Sequence, residues 1–267
     1  MMPVVSTLAV VVVLAVAATI TAFVFSASRR AGLPPRDARA AAIRTAALLG
    51  GWLALLSVAS LAGGLRDFEA RPPRMFFVLG GAVAIFTLAS RTRAFGRVLD
   101  AMPRSWPVAL QGMRVPIELG LWALCGAGRL PAHLTFEGRN FDVLVGLSAP
   151  VVAWGLARRN VSDRSLLAWN VLSLGLLANV VGMAITTMPG PLHLAWPGPS
   201  NTIVAEWPFV WLPGFLVPVA LFGHVTSLRQ IARARARRTQ ASAPTQVAEP
   251  SHVDRDGPGH DATSPVR

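Results

Sequence analysis

Apolar residues in this chain gather in long runs, and short polar stretches separate the runs. A membrane-spanning helix needs about 20 apolar residues, within a range of roughly 17 to 25. Seven runs approach that length: residues 4–26, 45–65, 75–90, 107–128, 141–157, 165–188 and 207–228. The first two carry no charge, the third and fifth are short, and the fourth is interrupted by Arg114 and Glu118. The pattern predicts an all-α protein, a seven-transmembrane helix bundle over residues 1–238. Residues 239–267 are rich in Pro, Ser, Thr, Gly and Asp and show no apolar periodicity. A disordered C-terminal tail is expected there.

Charge tests the count independently. The 25 basic residues are all arginine, against 13 acidic ones, giving a net charge of +12 over 267 residues. Cytoplasmic loops are enriched in Lys and Arg. Taken alternately, the connecting segments place 17 arginines on one side and 5 on the other. That asymmetry predicts the N-terminus outside and the C-terminus cytoplasmic. The first run has no positive charge ahead of it and exceeds the 7 to 15 residues of a signal-peptide core, so it reads as an N-out signal anchor. The basic stretch 229–238 reads as a topology anchor.

Composition narrows the chemistry. Charged residues make up 14% of the chain, where a soluble domain carries roughly 25%. Without lysine there is no Schiff base to retinal or pyridoxal phosphate and no P-loop lysine. Cys125 is the single cysteine, which excludes an internal disulfide and a cysteine zinc cluster. The arginines lie between apolar runs rather than in one patch, so nucleic acid is not an expected partner.

Ionisable groups inside a span are costly and mark candidate sites. In the fourth span Gln111, Arg114 and Glu118 fall within about 60° of one another on one helical face. Arg114 and Glu118 are four residues apart and are expected to pair. Such a pair can line a solute pathway or lock helices together. Pro116 between them leaves the Gly112 carbonyl without its helical partner and predicts a kink. Glu137, Arg139, Asn140 and Asp142 form a short outer loop with both charge signs, expected to satisfy one another around a tight turn at Gly138. Asn179 shares a face of the sixth span with Gly175, Gly182 and Thr186, which reads as a helix-packing stripe. Asn170 points nearly the other way and needs its own partner. His224 is a lone histidine near the inner end of the seventh span. His133, His193 and Glu206 share the outer side but lack metal-motif spacing, so no metal is expected.

Three strings, Gln111-Gly-Met-Arg114-Val-Pro116-Ile-Glu118, Thr135-Phe-Glu137-Gly138-Arg139-Asn140-Phe141-Asp142 and Trp207-Pro-Phe-Val-Trp211-Leu-Pro213, resemble an uncharacterised family of bacterial multi-pass membrane proteins. The likeness covers roughly residues 103–230. It implies an inner-membrane location and brings no activity.

Two function classes follow. In one, the protein binds or moves a small polar or anionic solute, with Arg114 as charge partner and Gln111, Glu118, Asn170 and Asn179 as the intramembrane polar set. In the other, it is a non-catalytic sensor or assembly subunit packed against another membrane protein. No nucleophile–base pair points to an enzyme. No cofactor is expected, and the partners are the lipid bilayer and a second membrane protein or a second copy.

Overall fold

The computed structural model describes residues 1–241, which are helical with no strand among them. The long helices are α1 (Met2–Arg30), α2 (Pro35–Leu61), α3 (Arg74–Ser90), α7 (Asp142–Ala157), α8 (Asp163–Thr187) and α9 (Val217–Ala241). Shorter pieces are α4 (Arg93–Ala101), α5 (Ser105–Ala109) and α6 (Arg114–Gly126). A 3-10 turn, Leu110–Met113, joins α5 to α6, and a π-turn, Leu212–Leu216, leads into α9.

Among the described residues four helices are long and apolar enough to cross a membrane: α1, α2, α8, and α9 with its π-turn. The bent pair α3 and α4, turned 80° against each other, makes a fifth if counted as one span. The apolar pattern had led to seven. The fourth expected span is broken into α5, the 3-10 turn and α6, because Pro116 cannot return a hydrogen bond to Gly112 and the turn before it tightens. The fifth is α7, whose 16 residues reach about 24 Å at 1.5 Å per residue. The bilayer core is about 30 Å thick.

The boundary expected at residue 239 falls inside a helix. Residues 239–241 close α9, and the rest of that stretch lies outside the described residues. The basic end of α9 has something to hold: Asp100 of α4 takes both Arg233 (2.9 Å) and Arg237 (2.6 Å). Gln230 donates to the Leu99 and Met102 carbonyls.

The last helix is the hub. Of its apolar window with the π-turn, 61% is buried, against 17% for α1 and 11% for α2. The outer faces of α1 and α2 instead expose Val4, Val11, Leu14, Leu55 and Val58. Such a surface suits hydrocarbon, where a helix is stable because its backbone bonds are internal. The main core joins Val13 and Val16 of α1, Leu56 of α2 and Val78 of α3 to Phe215 and Val219. Gly214 lets these helices meet: a Cβ there would lie 2.6 Å from Leu56 and 2.9 Å from Val78.

Two indoles tie α2 to this hub. Pro218 has no N–H to give the Gly214 carbonyl four residues back. Trp52 Nε1 of α2 donates to that carbonyl at 2.8 Å. In return Trp211 Nε1 donates to the Leu53 carbonyl of α2 at 3.1 Å. Trp52→Phe should therefore cost about 1–3 kcal/mol in unfolding of the lipid-reconstituted protein. The loss should shrink in a Pro218→Ala background, where residue 218 regains its own N–H. A loss of equal size in both backgrounds would mean that the indole does not replace the missing helical bond.

Candidate functional site

Arg114 is 2% exposed and lies in the helical stretch that joins the 3-10 turn to α6. A buried guanidinium needs an acceptor for each nitrogen. Its Nε donates to Gln111 Oε1 at 3.1 Å. Its Nη1 pairs with Asp142 at the start of α7. Its Nη2 lies 3.0 Å from His224 Nε2 of α9. Asp142 is favoured at that position because the N-terminus of a helix attracts a carboxylate.

The network continues on both sides. His224 Nδ1 is 2.9 Å from Asn170 Oδ1 of α8. Asn170 Nδ2 is already committed as donor to the Leu166 carbonyl and Ser227 Oγ. The imidazole therefore carries its proton on Nδ1, is neutral, and accepts from Arg114 through Nε2. On the other side of Arg114 the Asp142 backbone N–H donates to Asn140 Oδ1 at 3.0 Å. Asn140 Nδ2 donates to Glu118 Oε1 at 2.7 Å and to the Leu134 carbonyl. Four helices, the 3-10 turn and one loop thus share one buried chain of polar contacts from Ser227 to Glu118.

Two glycines make room for it. A Cβ at Gly223 of α9 would collide with Gln111 Nε2, the atom that donates to the Ala220 carbonyl at 3.1 Å. A Cβ at Gly146 of α7 would come 2.8 Å from Val115 and 3.2 Å from Arg114 Cβ. Close helix approach through glycine is typical of membrane packing.

The expected residues divide as follows. Gln111, Arg114, Glu118, Asn140, Asp142 and Asn170 meet in the network. Arg114 and Glu118 make no direct ion pair: Asp142, 28 residues on, takes the guanidinium instead. Asn179 is exposed and donates to the Arg139 carbonyl at 2.9 Å. Arg139 lies over the Trp196 ring at 5.6 Å rather than in an ion pair, and Glu137 is exposed. With Asp142 turned inward, the loop charges do not close on one another. The stripe Gly175, Asn179 and Gly182 faces outward, not into the bundle.

The loop nevertheless folds onto the bundle mouth. Gly138 N–H donates to the Thr135 carbonyl, Arg139 N–H to His133, and Asn140 N–H to Thr135. His133 stacks on Trp196 at 4.5 Å and lies 2.9 Å from Thr187 Oγ1 of α8. Burial, and then the charge of Arg139, hold the His133 imidazole below the usual histidine range.

A cavity of about 130 Å³ borders the network. Arg114, Glu118 and Asp142 reach it from one side, and its walls are otherwise mostly aliphatic. A water needs only roughly 10–15 Å³. The half-buried residues Phe76 and Leu79 of α3 and Val180, Val181 and Ala184 of α8 line its outer part, so it approaches the apolar exterior there. Glu118 Oε2 is buried without a hydrogen-bond partner. So is Oδ1 of Asn201, a residue that sequence pattern did not single out and that also lines the cavity. Asn201 sits in a Gly-Pro-Ser-Asn stretch whose only sequence signal was the absence of periodicity. Among the described residues no three His, Cys, Asp or Glu side chains gather as metal ligands.

Comparison with protein families, with curated proteins and with solved structures finds no match for this chain.

Two outcomes test this geometry. In double-mutant cycles, Arg114→Met with Asp142→Asn should show strong coupling, since breaking a buried pair from one side costs about 3–5 kcal/mol. The coupling of Arg114→Met with Glu118→Gln should be distinctly smaller, and equal couplings would contradict the partner assignment. The second outcome concerns pH. An unfolded histidine titrates near ~6.5, above the depressed folded value of His133. Acid therefore favours the unfolded form. The loop 135–140 should keep its stability above about pH 6.5 and lose it as pH falls toward the folded value. Hydrogen exchange at residues 135–140 should accelerate on acidification, and His133→Gln should remove that acceleration.

Proposed function

We propose that the protein is a multi-pass protein of the bacterial inner membrane that binds a small molecule in the cavity beside Glu118. The observation that carries the reading is the contact of a mostly apolar cavity with the buried Arg114–Asp142–Glu118 cluster. An anionic solute is the weaker version of this reading. Each nitrogen of Arg114 already has an acceptor inside the protein. The free valence at the cavity is an acceptor instead.

A seven-helix arrangement with the N-terminus outside is part of the proposal. Residues 105–126 run on without leaving the right-handed helical region at the joints, which supports one irregular span. Ion pairs also respect the two sides. Arg104 and Arg238 meet Asp163, and Arg233 and Arg237 meet Asp100, all in segments read as cytoplasmic. Arg129 meets Glu206, and Arg74 meets Asp67, in segments read as external. The inner-membrane assignment rests on the arginine asymmetry and on the three strings named above.

A second reading has one feature of its own. The outward stripe Gly175, Asn179 and Gly182 suits contact with another membrane helix, as in an assembly subunit.

Two measurements test the first reading. The protein in lipid nanodiscs should bind a ring-sized apolar probe such as toluene, seen by saturation-transfer NMR, and Val181→Trp should abolish the signal by filling the cavity. Binding that survives this substitution would remove the cavity as the site. A reporter fused after Arg238 should show cytoplasmic activity, and periplasmic activity would overturn the topology.

A further inference from the structure

The cavity has a chemical bias that its aliphatic walls conceal. Glu118 is 2% exposed and Asn201 1%. Each presents an oxygen with no hydrogen-bond partner, Glu118 Oε2 and Asn201 Oδ1. The identity of these atoms is fixed by what their neighbours do. Glu118 Oε1 takes the Asn140 amide, and Asn201 Nδ2 donates to the Ala184 carbonyl at 3.3 Å. What remains is an acceptor on Asn201 and, on Glu118, a carboxyl oxygen that accepts once the group has given up its proton. A buried acceptor left unmade costs about 1–3 kcal/mol, and in native structures such atoms call for an explanation.

Charge points the same way. The buried cluster holds one guanidinium, Arg114, and two carboxyl groups, Asp142 and Glu118. Asp142 is matched by Arg114, and His224 is neutral by its hydrogen bonds. Glu118 has only the uncharged Asn140 beside it as a hydrogen-bond partner. The missing element is a base that takes the Glu118 proton and, once positive, donates back to the carboxylate. The remaining wall, with Leu121, Leu177, Val181, Ile185 and Leu216, asks for hydrocarbon. In size the cavity is comparable to an apolar one of about 150 Å³ that takes benzene.

We infer that the cavity binds a lipid-soluble amine: a compact apolar body about one ring in size, carrying a protonated nitrogen that donates to Glu118 Oε2, with Asn201 on the cavity wall as a further acceptor. The inference rests on the cavity being a binding site, and goes beyond it by assigning the ligand class. Desolvated carboxylate–ammonium contacts are the stronger kind of hydrogen bond. An alcohol supplies a donor without charge, a quaternary ammonium supplies charge without a donor, and a carboxylate meets Glu118 with like charge.

The full chain in nanodiscs at pH 7 is titrated by calorimetry with benzylamine, benzyl alcohol, phenyltrimethylammonium, benzoate and toluene. Benzylamine should bind at least about tenfold more tightly than any other member, a gap of about 1.4 kcal/mol. Glu118→Gln should remove most of that advantage, read as the ratio of benzylamine to toluene affinity in the same variant. Asn201→Leu should weaken benzylamine and leave toluene unchanged or stronger. Equal affinity of benzylamine and toluene would overturn the amine assignment and leave an apolar site standing. Preference for phenyltrimethylammonium would overturn the donor argument, and unchanged benzylamine binding in Glu118→Gln would overturn the placement. Failure of every probe, toluene included, would instead sink the underlying binding reading. If Glu118→Gln does not fold, the Asn201→Leu result and the probe ranking on the unmodified protein decide the matter alone.

Discussion

A guanidinium inside a low-dielectric bundle forces the arrangement of everything around it. Insertion scales put an unpaired arginine at a helix centre at about 2.5 to 3.5 kcal/mol, so the fold has to deliver acceptors to Arg114 from elements far apart in sequence. Asp142 arrives on the first turn of α7, His224 on α9, and Gln111 from the turn just before. Each of these in turn sets a further demand. His224 can accept from Arg114 only as the Nδ1-protonated tautomer, and that requires Asn170 of α8. Asp142 is steadied through its backbone by Asn140, which turns the outer loop down toward Glu118. Gly146 and Gly223 are the spatial counterpart, since a methyl group at either would push α7 or α9 away from the charge they serve.

The network is complete on one side and open on the other. Every nitrogen of Arg114 is engaged, but the acceptors nearest the cavity, on Glu118 and Asn201, are not. A bundle built only to neutralise Arg114 would need Asp142 alone. The second carboxyl group, held in place by Asn140 and left half satisfied, makes sense as the polar end of a ligand site. The cavity beside it is apolar and nears the lipid-facing surface between α3 and α8. Under the proposed binding reading, molecules dissolved in the bilayer suit this cavity better than solutes arriving from water.

Helical character was legible because unbroken apolar runs leave few alternatives, and the face Gln111–Arg114–Glu118 was legible because a helix turns 100° per residue. The partner of Arg114 was not. Spacing along one helix reveals only neighbours three or four residues away, so it pointed to Glu118. The choice of Asp142 depends on how closely α7 approaches α6, and that distance is set by Gly146. Hydropathy registers apolar content but not backbone regularity, so the shape of the fourth and fifth expected spans was not legible in it. Pro116 tightens one expected span, and α7 is simply short. Asn201 lay hidden in a Pro/Gly/Ser connection where no periodicity applies. The end of α9 was read from composition as disordered, yet residues 239–241 stay helical beyond the clamp that Asp100 places on Arg233 and Arg237.

The paired indoles of Trp52 and Trp211 carry a consequence for biogenesis. A polypeptide enters the membrane from its N-terminus, so α2 is in lipid long before residues 211–218 have been synthesised. Until they arrive, the Trp52 N–H has no Gly214 carbonyl to meet, and the inner faces of α1 and α2 have no hub to pack on. Arg114 likewise waits for His224. The bundle can reach its final form only after its last helix has left the ribosome, which makes insertion sequential but closure late and concerted. A chain stopped before residue 212 would keep Asp142 and Gln111 on Arg114 but leave one guanidinium nitrogen without its His224 acceptor.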